Sequence, residues 1–138
     1  MSRLVSDDTW AILTIWQEAR GESFEGKLAV AEVIWNRMRQ QYQSDGTVVG
    51  TVLKPYQFSG WNTTDKNRLI AAKLDDLDPA VKDCMKAWFD AKAGSNTVRG
   101  ALLYFNPSLV KDVPTWAGSA VAKKVAEVGR HVFYVPTI

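Results

Sequence analysis

Trp16-Gln17-Glu18-Ala19-Arg20-Gly21-Glu22, followed closely by Glu25-Gly26, is the stretch on which the rest of the chain turns. Upstream of it, Trp10, Ile12, Leu13, Ile15 and Trp16 cover most of a helix circumference. A helix that is apolar nearly all round belongs in a core. Ser6, Asp7 and Asp8 supply cap chemistry and negative charge for its start. Gly21 is its stop, which places Glu18 in the last turn and Arg20 where a cation offsets the helix dipole. Downstream, Leu28, Ala31, Trp35, Met38 and Tyr42 recur at steps of three and four, so Glu25 to Tyr42 reads as a second, amphipathic helix. Two helices meeting at a charged turn, the first of them apolar nearly all round, point to a mainly helical fold.

On another face of the second helix fall Glu25, a first-turn residue, and Glu32, Asn36 and Arg39. Glu32 reads as a solvated residue that could border a groove. Gln43 to Thr47 is a turn, and Thr47 to Leu53 fits a short helix or an extended piece equally well. Pro55 to Asn62 reads as a structured loop, and Asp65 to Leu77 as a modest helix. Asp78-Pro79 opens another helix in cap-then-proline order, with Val81, Cys84, Met85, Trp88 and Phe89 as its buried stripe and Gly94 at its end. Ala101 to Phe105 reads as a short strand halted by Asn106-Pro107. Ser119 to Val128, with Val121, Val125 and Val128 at helical spacing, reads as a helix ending at Gly129. Arg130 to Val135 has the β-branched and aromatic content of a final strand. The expected class is α+β, predominantly α, with a small β-sheet, in a single domain over residues 1–138.

At 138 residues and 46% hydrophobic the chain is long enough to bury one sizeable core. Its net charge of +2 suits an anionic polymer as partner, but no basic run suggests nucleic acid. The single cysteine, Cys84, permits no internal disulfide and no Cys-rich zinc site. Asp7 and Asp8 interrupt any secretory h-region, and no run of roughly 20 apolar residues occurs. A soluble protein without a signal peptide or membrane insertion is the expectation.

Cleavage of a glycosidic bond needs a carboxylic acid that is protonated near neutral pH. Burial and the negative end of a helix dipole both favour the neutral form of a glutamic acid. Glu18, beside Ile15 and Trp16 at a helix end, has the sequence context for both. On pattern alone the blander reading, a half-exposed glutamate paired with Arg20 or Arg37, carries more weight, because perturbed carboxylates are the exception. Glu22 reads as a loop residue, capping the helix that begins near Glu25. The lone His131 is more in keeping with packing than with ligation, which makes a zinc amidase a poor reading. Cys84 sits on an apolar stripe far from that histidine, against a thiol protease. No phosphate loop or Gly-x-Ser-x-Gly elbow is present. Sugar sites use aromatic faces and amides, for which Tyr56, Gln57, Trp61, Asn62, Tyr104, Asn106 and Trp116 are candidates. Trp10, Trp16, Trp35 and Trp88 sit at helical spacing and read as core.

Glu18-Ala-Arg-Gly-Glu22, Glu25-Gly26 and Ala29 to Arg37 together resemble the spore-cortex-lytic (SleB/CwlJ-type) cell-wall hydrolases. The resemblance continues in order through Gln57-Phe58-Ser59, Tyr104-Phe105-Asn106-Pro107, Trp116 and Gly129 to Tyr134. It implies a lysozyme-like, lytic-transglycosylase-like domain that cuts the bond between muramic acid and glucosamine in peptidoglycan, with Glu18 as general acid and base. It also implies that Gln57, Phe58, Ser59, Tyr104 and Asn106 line the cleft and bind the glycan, with Tyr134 and His131 beside them. The loop aromatic Trp116 is expected to join the substrate-binding residues with Tyr134, and Glu22 and Arg20 to support the turn that presents Glu18, with His131 also in support. No cofactor and no metal are implied. The partner would be the peptidoglycan glycan strand, met by a monomer. Without an export signal, such a protein looks like a phage or prophage endolysin, held in the host cytoplasm until release and acting in the periplasm or cell wall. The rival expectations are a hydrolytic N-acetylmuramidase and a non-catalytic glycan-binding module.

Overall fold

A computed structural model describes residues 7–54, 57–58, 79–117 and 120–137. The elements in chain order are α1 (Asp7–Ala19), α2 (Phe24–Gln40), α3 (Val48–Val52), α4 (Pro79–Lys92), β1 (Leu103–Phe105), β2 (Ala122–Val128) and β3 (His131–Pro136). The expected helix over Asp65 to Leu77, the cap residue Ser6, and Tyr56, Ser59, Trp61 and Asn62 lie outside the described residues.

Helix α2 is central because it is apolar on two faces. Val30, Ala31 and Ile34 join Ala11, Ile12, Ile15, Trp16 and Ala19 of α1, Val48 and Val52 of α3, Phe58, and Val81, Cys84, Ala87, Trp88 and Ala91 of α4 in the main core. Ala29 and Val33, on its other face, pack with Val98, Ala101 and Phe133 and so carry the sheet. Burying one such aliphatic or aromatic side chain contributes about 1.5–3 kcal/mol, so these two seams hold the molecule together. Trp88 also donates its indole N–H to Asp8 Oδ1 at 2.7 Å, which fastens α4 to the start of α1. Burial works against the Asp8 charge. Hydrogen bonds from Lys92 and Trp88, with the Lys92 charge, outweigh it and hold the carboxyl below its usual value.

Local chemistry sets the ends of α2. Ser23 is its N-cap, with Oγ accepting from the Gly26 N–H at 3.4 Å, and Gln41 closes it in the left-handed region at φ 52°. The cap role expected of Glu22 therefore falls to Ser23. The ambiguous segment after the turn is helical: Thr47 caps α3, its hydroxyl accepting from Gly50 N–H at 2.9 Å.

The sheet is antiparallel in the order β1-β3-β2. Leu103 to Phe105 and His131 to Val135 are strands as expected. Of the helix expected over Ser119 to Val128, the stretch Ala122–Val128 is instead strand β2. Lys124 faces Tyr134 and Ala126 faces Phe133, so Val125 is an extra residue in a bulge. The bulge breaks the period-two alternation and leaves valines at spacings of four and three, which imitate a helix.

Three burial expectations are also corrected. Glu32 is not solvated but 1% exposed. Phe89, placed in the buried stripe of α4, is 45% exposed. Trp10 and Trp35 pack on the rim of the core, whereas Trp16 and Trp88 lie within it.

Candidate active site

The last turn of α1 presents Glu18 to the inner face of the sheet. Tyr104 reaches it from β1 and donates its hydroxyl to Glu18 Oε1 at 2.6 Å, across 86 residues of sequence. Register explains the direction of that side chain. Tyr104 is the direct partner of Phe133 in the ladder, and Phe133 is anchored on α2, so both point inward. Burial, the Glu18 charge and the hydrogen bond to Glu18 push the Tyr104 phenol well above its usual value, against the opposing Arg37 charge. Tyr104 therefore keeps its proton and acts as a donor.

Arg37, considered from the sequence only as an ion-pair partner for Glu18, is a buried residue of the site. It is 4% exposed, donates from Nε to the Leu102 carbonyl at 2.7 Å and from a terminal nitrogen to Gln57 Oε1 at 3.2 Å, and lies over the Phe58 ring at 5.1 Å. Burial draws its pKa down from the ordinary value, while the neighbouring Tyr104, Tyr42 and Glu18 oppose that. A guanidinium stays charged in a protein, so a fixed cation shares the site with Glu18. Its signal was present as the Asn36-Arg37 pair in the second helix, but nothing local says that the side chain turns inward.

These groups surround a cavity of about 320 Å³ lined by Gln17, Glu18, Arg37, Gln57, Tyr104, Phe105, Asn106, Leu109, Val110 and His131. Of the expected site residues, Glu18, Gln57, Tyr104, Asn106 and His131 are thus brought together. Phe58 is not in the lining; at 1% exposed it belongs to the core beneath Arg37. Tyr134 and Trp116 are not in the lining either; they form an aromatic group with Phe105, which does line the cavity, Trp116 standing edge-on to both rings at 5.7 and 5.3 Å. Tyr134 pairs with Leu103, one step out of phase with Tyr104, and so faces the opposite side of the sheet. Arg20 is exposed, its guanidinium 4.4 Å over the Trp16 ring. Ser59 lies outside the described residues.

Glu22 has a holding role. Its Oε1 accepts from the Arg130 backbone N–H at 2.9 Å, and its Oε2 lies 3.4 Å from Arg130 Nε. That clamps the α1–α2 turn to the β2–β3 turn. The first turn of α2 and the β2–β3 turn both leave room for it: a Cβ on Gly26 would meet Glu22 Cβ at 2.6 Å, and one on Gly129, at φ +58°, would meet Glu22 Oε1 at 2.7 Å.

His131 Nδ1 lies 3.5 Å from Glu22 Oε1 and has no hydrogen-bond partner among the described residues. Burial lowers its pKa below the ordinary value, Arg130 adds to that, and Glu22 opposes it. The imidazole that faces Glu22 is therefore neutral at neutral pH. A depressed histidine lets the unfolded chain bind a proton where the folded chain does not, so stability rises with pH through that window. The stability is complete above the ordinary histidine value of 6.5 and is lost as pH falls from there through the folded value. Urea melts between pH 7 and pH 5 should show a steeper loss in the parent than in His131→Gln. Parallel profiles would contradict this.

No group of three or more potential metal ligands occurs among the described residues, and no described helix is long and apolar enough to cross a membrane.

The sequence pattern of the Cell Wall Hydrolase family matches residues 21–134. The chain belongs to the cell wall hydrolase family. The matched segment begins three residues after Glu18, so the family assignment does not itself rest on that residue. Among curated relatives, a spore cortex-lytic enzyme of Oceanobacillus iheyensis is 29% identical over 119 residues, 86% of this chain and 38% of the relative. That of Bacillus subtilis is 26% identical over 119 residues, 86% of this chain and 34% of the relative. The chain thus spans little more than a third of the length of these relatives. Among solved structures, the catalytic domain of the germination-specific lytic transglycosylase SleB from Bacillus anthracis superposes with a TM-score of 0.72 at 25% identity, covering 98% of this chain and all of that one. The Bacillus cereus SleB catalytic domain gives 0.71 at 25% identity, over 98% of this chain and 95% of the other. The expected class, mainly helical with a small sheet and lysozyme-like, is that of this cell wall hydrolase.

Proposed function

We propose that this cell wall hydrolase cleaves the glycan strand of peptidoglycan at the bond between N-acetylmuramic acid and N-acetylglucosamine as a lytic transglycosylase, with Glu18 as both acid and base. The observation that carries the reading is that Glu18 is the one carboxylate among the described residues lining the cavity. Hydrolytic glycosidases generally work with two carboxylates, at about 5–5.5 Å or about 6.5–9.5 Å separation. A single acid suits a reaction in which the substrate supplies its own nucleophile. The resemblance to a structure described as a lytic transglycosylase supports the same choice.

In the first half of the reaction Glu18 gives its proton to the glycosidic oxygen as the bond from that oxygen to C1 of the muramoyl residue breaks. In the second half the C6 hydroxyl of the same residue attacks C1 and passes its proton to Glu18. A 1,6-anhydro end forms, the acid is regenerated, and no water is consumed. Between the halves Glu18 is a carboxylate. The Tyr104 hydroxyl, already 2.6 Å from Oε1, and the Arg37 cation stabilise that state. Both are held before substrate arrives, so little reorganisation is needed.

The test is a suspension of purified peptidoglycan. The parent should clear it and release glycan fragments, with the same rate in the presence of chelator. Co-sedimentation without clearing would mean a binding module, and release of stem peptides with loss under chelator would mean a zinc amidase; either result sinks the proposal.

A further inference from the structure

Gln17 lines the same cavity as Glu18, and the mechanism above does not use it. The residue is only 9% exposed, yet neither Oε1 nor Nε2 of its carboxamide finds a hydrogen-bond partner among the described residues. Neighbouring amides behave differently. Asn36 donates to the Ala101 carbonyl and accepts from Arg39, and Gln57 accepts from Arg37. Buried polar groups are paired in the great majority of cases, and a carboxamide brings two donors and an acceptor with two lone pairs. Gln17 therefore offers both kinds of hydrogen-bonding atom to the cavity beside the acid, with nothing in the described chain to take them up.

We infer that Gln17 is a substrate-binding residue that reads the 2-acetamido group of the sugar at the bond being cut. The inference rests on the glycosidase reading and adds a named contact to it. An acetamido group has a carbonyl that Nε2 can serve and an N–H that Oε1 can accept. Because the group is trans, these point opposite ways, so Gln17 donates from Nε2 to the carbonyl and its Oε1 accepts from an adjacent ring hydroxyl. The chemical class recognised is an N-acetylated sugar. A sugar whose nitrogen is a free ammonium lacks the carbonyl acceptor and leaves Nε2 unpaired. Sites built to hydrogen-bond a group reject analogues without it far more strongly than apolar pockets do. The competing occupant is water alone, since a polar cavity of this size also holds water.

The experiment compares the parent and Gln17→Met on peptidoglycan before and after chemical de-N-acetylation, with initial rates and thermal melts. The parent should favour the N-acetylated polymer by about tenfold or more. Gln17→Met keeps the volume and removes the amide. It should lose about tenfold or more in kcat/KM on the N-acetylated polymer and discriminate less between the two polymers. Its Tm should equal or exceed that of the parent, because an unpaired buried amide has gone. Cleavage by Gln17→Met at the parent rate, or equal losses on both polymers, would overturn the inference and leave the amide to water. If Gln17→Met does not fold, Gln17→Asn, which withdraws the same amide by one carbon, is read by the same two rates. A parent inactive on both polymers would instead sink the glycosidase reading itself.

Discussion

Glu18→Gln is expected to slow the solubilisation of peptidoglycan by about 10²–10⁴-fold, the usual contribution of a positioned general acid. The substitution keeps the shape of the side chain and an oxygen able to accept from the Tyr104 hydroxyl, so the cleft and the Tm should be nearly unchanged. What it removes is the transferable proton, and with it both the protonation of the leaving oxygen and the later acceptance from the C6 hydroxyl. Clearing rates on purified sacculi, with a melt of each protein alongside, separate a chemical loss from a folding loss. A variant that clears walls at the parent rate would show that the acid is elsewhere.

The second large effect is on stability, at a residue that does not line the cavity. Glu32, 1% exposed in the middle of α2, accepts from Ser95 Oγ at 2.8 Å, from Thr97 Oγ1 at 3.1 and 3.0 Å on its two oxygens, and from the Val98 backbone N–H at 2.9 Å. One carboxylate thus ties the whole connection between α4 and β1 to the central helix. Glu32→Leu would leave the buried Val98 N–H and two hydroxyls without their acceptor. Leaving a buried donor unpaired costs about 1–3 kcal/mol, and bonds to a charged group are at the upper end. A loss of about 3 kcal/mol is expected, or roughly 10 °C in Tm for a domain of this size. Glu32→Gln, which keeps one acceptor, should fall between. Below its melting range the variant should still cleave its substrate, because Glu32 does not line the cavity. A Glu32→Leu protein that melts with the parent would remove the network from the account.

What the sequence made legible and what it did not divide along one line, the distance between interacting residues. Helices α1, α2 and α4 and strand β3 follow from caps, periodicity and β-branched content, all of which are local. The place of Glu18 at the end of a buried helix was also legible, because its context is the greasy helix immediately before it. Glu32 and Arg37 were not. Their partners lie 63 to 66 residues away in the case of Glu32 and 65 in the case of the Arg37 bond to Leu102. A buried carboxylate on a helix therefore looked like a solvated one. Strand β2 was lost to a single inserted residue, Val125, which shifts the pattern without changing the composition. Tyr134 and Trp116 show the same limit in the sheet. Which tyrosine faces the cavity depends on a register of one residue, fixed by Phe133 packing on α2, and only pairing reveals it.

The central claim is that one carboxylate cleaves the strand and the substrate closes on itself. Mass analysis of the glycan ends released from purified peptidoglycan tests it most directly. The released fragments should carry 1,6-anhydro-muramoyl ends, with no oxygen taken up from isotopically labelled water. Reducing ends that carry the label would mean that a water molecule, and a group to activate it, does the work assigned here to the C6 hydroxyl.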